Sequence, residues 1–168
     1  DGNPYYILEF ARSLRERAST GAADAPELDV PGSVRELVEA RLATLDEADR
    51  DLLSVAACSG YRFDPVIVCE ASGMPRLAGL RALHRLERSR GLLVAEGAGY
   101  RFHHHLVQEV LQSEIPPALR AGYHGALADA TEHHLPPDSA PTGALAYALA
   151  RHHLLGDTPE RAAPYVLA

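Results

Sequence analysis

The stretch "LLVAEGAGYRFHHHLVQEV", residues 92–110, decides how the rest of the chain is read. "LLVAE" and "YRF" are short runs rich in β-prone residues, and the "GAG" between them is a tight glycine turn, so together they predict a hairpin. Behind it, an apolar helical segment runs from about His104 to Ser113, and Pro116–Pro117 end it. A series of helices closed by a hairpin is the order of a winged helix-turn-helix. That architecture is expected for residues 31–114.

Working outward, "SVRE" at 33–36 is a capping box, with Ser33 accepting from an early backbone N–H and Glu36 reaching back. Asp46 is placed to cap the next helix, whose Leu52, Leu53, Val55 and Ala56 form an apolar face, and Gly60 to stop it. Asp64 followed by Pro65 is an N-cap with proline at the first helical position. A fourth helix is predicted from about Pro75 to Arg90, with Leu77, Leu80, Leu83 and Leu86 on one face and Gly91 as its stop. Beyond Pro117 the chain reads as helical again, interrupted by the Pro-rich "LPPDSAPTG" and by a Gly-Asp turn after Leu155. Thr158 and Pro159 read as cap and first position of the last helix. Ala146, Ala150, Ala162 and Ala163 allow close helix stacking, so residues 115–168 are expected to be the onset of TPR-like α-hairpins, cut short. At the other end, "DGNPYYILEFARSLRER" predicts a turn and then a helix over residues 1–18, and residues 19–30 form a Gly/Ala/Asp/Pro linker. The expected fold class is mostly α: a winged helix-turn-helix with a small β-hairpin, followed by TPR-like α-hairpins.

Composition removes several kinds of chemistry. All sixteen basic residues are arginine. Without lysine, the chain can form no Schiff base, no Ser-Lys dyad and no P-loop contact to phosphate. No apolar run approaches the ~20 residues needed to span a bilayer, and no signal peptide is evident, so a cytoplasmic location and no membrane partner are expected. Cys58 and Cys69 lie in apolar segments without a CxxC pattern and read as buried free thiols. The net charge of −7 is uneven: residues 75–104 carry six arginines against two acids, between acidic flanks. The basic centre suits phosphate, while the whole chain should repel nucleic acid.

These segments, taken in order, resemble the post-ATPase region of bacterial STAND-type signalling ATPases, a group that includes large LuxR-type transcriptional regulators. In that family an AAA-like nucleotide-binding domain is followed by a helical lid, a winged helix and tetratricopeptide-type repeats. The resemblance covers nearly the whole chain, with the lid end at 1–18 and the repeats from about 117. It implies two nucleotide-facing residues. "GNP" is similar to the family's GxP motif, which places Pro4 against the adenine. "RFHHHLVQEV" is similar to the sensor motif FRHxLVRE, which places His104 on the β-phosphate of ADP and puts His105 where relatives often carry aspartate. ATP or ADP would then be the parent protein's ligand, with no cofactor held by this chain alone. The implied partners are the parent's own nucleotide-binding domain and an effector or protein at the helical repeats. DNA binding in the family lies in a separate domain.

The candidate site residues also have plainer readings. Adjacent helical residues point about 100° apart, so His103, His104 and His105 cannot all aim at one ion. No nucleophile or metalloprotease framework accompanies them, so no catalytic and no metal-binding residue is assigned and the chain is not expected to be an enzyme. His133–His134 and His152–His153 sit near helix ends, where positive charge complements the helix dipole. Arg81, Arg85 and Arg88, at i, i+4 and i+7, line one face of the fourth helix. They offer the alternative function, a DNA-binding winged helix, against salt bridges to the acidic flanks. The wing "EGAG" carries no basic residue, which argues against DNA.

Overall fold

Local capping chemistry sets the helix starts. Asp46 accepts from the Asp49 N–H at 2.7 Å and caps α2 (Glu47–Ser59), which follows α1 (Val34–Leu42). The first-turn acids Glu47 and Asp49 complement the helix dipole there. Asp64 does the same for α3 (Pro65–Ala71), accepting from the Val66 N–H at 2.7 Å with Pro65 at the helix start. These contacts belong to a computed structural model that describes residues 34–136 and 140–166. The expected lid end at 1–18, the linker at 19–30, Ser33 and Pro4 lie outside the described residues.

The fourth helix departs from its expectation in two ways. α4 is regular over Arg76–Arg85, and the final stretch Leu86–Arg90 widens into a π turn before Gly91, at φ 60°, ends it. The wider turn keeps Leu86 in the core and lets the Glu87 carboxylate accept from the Ala95 N–H at 2.9 Å. The buried face is Gly79, Ala82, Leu83 and Leu86, whereas Leu77 is 61% exposed. A strict three-residue spacing falls about 60° short of a full turn at each step, so Leu77 and Leu86 end on opposite sides of the helix. Gly79 is buried because α3 passes so close: a Cβ there would stand 2.2 Å from Cys69 Sγ.

The hairpin is present, and it has a third strand. β2 (Leu93–Glu96) and β3 (Gly99–Phe102) pair antiparallel, Leu93 opposite Phe102 and Glu96 opposite Gly99, around Gly97–Ala98. β1 (Arg62–Phe63), between α2 and α3, adds to the other edge of β3, giving the order β1-β3-β2. Two residues are too few to show an alternation in sequence. Gly99 permits the approach, since a Cβ there would lie 2.8 Å from the Phe63 carbonyl oxygen.

Helix α5 (His105–Glu114) follows β3, and α6 (Pro117–His133), α7 (Gly143–Leu155), a 3-10 turn at Pro159–Ala162 and α8 (Ala163–Val166) complete the order. The described residues are therefore mostly helical, with one small antiparallel sheet. Thr158 does not cap the last turn with its side chain. Its hydroxyl instead pairs with His153 Nδ1 at 2.9 Å. The core joins α1 through α6, with Leu42, Leu53, Leu83, Phe102, Val110 and Leu127 all fully or almost fully buried. α5 packs on α1 and α2, and α6 packs on α2, α3 and α7. No described helix is long and apolar enough to cross a membrane.

Candidate functional site

Only one of the three central histidines is helical. His104 is the N-cap of α5, in extended geometry, and its Nδ1 accepts from the Leu106 N–H at 3.1 Å. A ring nitrogen that accepts must carry a lone pair, so the neutral imidazole has its proton on Nε2. His105, at the first helical position, stacks on Tyr61 with ring centroids 3.8 Å apart and planes 16° from parallel. His103 continues from the end of β3, and its backbone N–H donates to the Leu92 carbonyl at 2.9 Å. The three residues thus stand in three different local settings. Just behind them, Gln108 and Gln112 both donate to the Ala57 carbonyl, at 3.0 and 2.7 Å, and fix α5 to the last turn of α2.

The arginine face of α4 is partly committed. Arg85 pairs with the buried carboxylate of Asp49 at 2.6 Å, tying α4 to the first turn of α2. The arginine side chain is itself about half exposed, and Asp49 raises its pKa further through the hydrogen bond and its charge. Arg81 and Arg88 are exposed, and Arg90 donates to the Thr44 hydroxyl at 3.0 Å. Across the sheet, Arg62 of β1 pairs with Glu96 of β2 at 2.9 Å. The predicted triple stripe is therefore split between an internal tie and two solvated groups.

The remaining histidines are placed in ways their spacing did not announce. His152 is buried with His124, the two Nδ1 atoms 2.9 Å apart, so one ring donates and the other accepts. Burial first, and then nearby positive charge from His124 and Arg151, pushes His152 down to about 3; burial with Arg151 and Arg120 pushes His124 down to about 4. The expectation of a helix-terminal positive charge therefore fails for His152, which is held neutral by desolvation. His153 is fully buried, bonded to Thr158 and to Glu132 Oε1 at 2.9 Å each. Glu132 also receives Tyr165 and Arg161, so α6, α7 and the final turns share one carboxylate.

His133 and His134 meet Glu70 of α3, His133 Nδ1 at 2.7 Å from Oε1 and His134 Nε2 at 2.8 Å from Oε2. The two imidazole hydrogen bonds hold the Glu70 carboxyl below its ordinary value. Nothing local in the sequence signals this group, because Glu70 lies more than sixty residues earlier. Both cysteines are buried free thiols, and burial pushes Cys58 up to about 11.

On the outer side of α7 and α8, Tyr147, Ala150, Leu154, Leu155, Tyr165 and Val166 line an apolar groove of about 680 Å³. Comparison with protein-family models, with curated proteins and with solved structures gave no match.

Proposed function

We propose that residues 31–114 form a winged helix that works as a nucleotide-state clamp in a larger STAND-type regulator, and that residues 115–168 begin its TPR-like sensing arm. The architectural reading is supported by the succession α2, β1, α3, α4, β2, β3 and by the pairing of the wing's inner strand β3 with the short strand between α2 and α3. The sensing arm is supported by the exposed apolar groove on α7 and α8, which suits an effector or protein segment. In the intact regulator the clamp would rest against the nucleotide-binding domain, and ADP or ATP would bias which interface forms.

The observation that carries the reading is the setting of His104. It sits at the junction of wing strand and helix, with its acceptor nitrogen occupied by the Leu106 N–H. The opposite nitrogen, Nε2, is then the donor in the neutral ring, which is the group a phosphate oxygen requires. Pro4 would face the adenine by the same family resemblance. In the full-length regulator, His104→Ala should weaken ADP retention and raise basal activity. Unchanged ADP affinity in that variant would remove the sensor reading.

DNA recognition through α4 is the competing reading, and the Arg85–Asp49 pair counts against it because it commits one of the three arginines to an ion pair within the chain. An anisotropy titration with duplex DNA at low salt separates the two. The clamp predicts weak binding indifferent to Arg81→Ala and Arg88→Ala, whereas tight binding lost in either variant would favour DNA.

A further inference from the structure

We propose that Glu70, His133 and His134 form a binding site for a zinc-class divalent cation, clasping α3 to the end of α6. The three side chains contribute two imidazole nitrogens and one carboxylate, all lying within 4.8 Å of one another. That donor set suits Zn²⁺ and its first-row neighbours better than Mg²⁺ or Ca²⁺, which prefer oxygen alone.

Adjacent histidines inside a helix would diverge by about 100°. These two converge because α6 ends between them. His133 is its last residue, and His134 leaves the helix as the C-cap at φ −91°, ψ 2°. The neighbouring rings therefore sit 5.3 Å apart at 42° and present different nitrogens, Nδ1 and Nε2, to the same carboxylate.

Admitting an ion means exchanging the two imidazole–carboxylate hydrogen bonds for metal bonds. Zinc–ligand bonds of about 2.0–2.1 Å in a tetrahedron set the ligand atoms about 3.3 Å apart. The nitrogen–oxygen separations are now 2.7 Å to Oε1 and 2.8 Å to Oε2, so the carboxylate would back away from both rings and turn one oxygen toward the ion. All three side chains are accessible, with Glu70 the least exposed at 38%. Three protein ligands leave one tetrahedral position for water. Glu70 and His134 also line a pocket of about 240 Å³ with Val66, Met74 and Arg76, which gives that position room. The buried thiols of Cys58 and Cys69 are not competing ligands.

The test is calorimetric titration of the protein, carrying no affinity tag, with Zn²⁺, paired with thermal melts followed by circular dichroism. One saturable equivalent and a raised Tm are expected. Glu70→Gln and His134→Ala should each weaken binding by about tenfold or more, and His105→Ala, outside the cluster, should leave it unchanged. Circular dichroism of the two surface variants without zinc verifies that each remains folded. Absence of saturable binding, or binding of undiminished affinity in both variants, would overturn the assignment.

Discussion

The two halves of the molecule are held together by different physics. From α1 to the start of α6, aliphatic and aromatic side chains close a continuous core, and polar side chains mostly do their work at its margins, as caps and surface ties. From the middle of α6 to α8, the packed residues are small alanines, Leu127, Leu149 and three buried histidines, with Glu132 linking His153, Tyr165 and Arg161. The lesson concerns conditions as much as packing. An apolar core is indifferent to pH, whereas a buried histidine pair such as His124–His152 resists protonation.

The largest single effect should come from the apolar half. Phe102 is fully buried where β3 meets the core, so Phe102→Ala should cost about 3–5 kcal/mol, equally at pH 7.5 and pH 5, as measured by urea denaturation. A marked pH dependence of that loss would break the contrast. Next comes the helical half. His124 and His152 bind protons less readily folded than unfolded, so their contribution is fully present above the ordinary histidine value of 6.5 and is lost as pH falls from there toward about 4. The loss should be on the order of a few kcal/mol for the pair taken together, and replacing both with leucine should flatten the stability profile between pH 6.5 and 4. A profile that stays steep in the double variant would place the titration elsewhere.

How much of this was legible in sequence follows the same division. Asp46, Asp64–Pro65, Gly91 and the glycine turn are local signals, because each acts on backbone atoms a few residues away. They gave the helix starts and the hairpin correctly. Strand β1 was hidden by its length, and the buried face of α4 by a three-residue leucine spacing that drifts around the helix. The histidine pairings were out of reach for another reason. His124–His152, His153–Glu132 and Glu70–His133–His134 join positions 21 to 64 residues apart, and only tertiary packing brings them together.

Two smaller substitutions sharpen the picture of the apolar half. Gly79→Ala forces a methyl group toward Cys69 Sγ and should destabilise by about 1–3 kcal/mol, an effect that Cys69→Ala should partly relieve. Asp46→Ala removes the α2 cap for about 1 kcal/mol, readable as a shifted urea midpoint with an unchanged slope. Additivity of the Gly79 and Cys69 changes would mean that α3 and α4 do not meet as described.

The functional reading rests on what His104 does beyond capping α5. Asparagine is a good N-cap but has no imidazole, so His104→Asn keeps the helix start and removes only the proposed phosphate contact. The decisive measurement is the rate of ADP release from the proposed full-length regulator carrying that change. Release about tenfold faster than from the unaltered protein, the equivalent of one lost charge-assisted hydrogen bond, is the expected result. An unchanged release rate would contradict a sensing role and leave His104 as a helix cap.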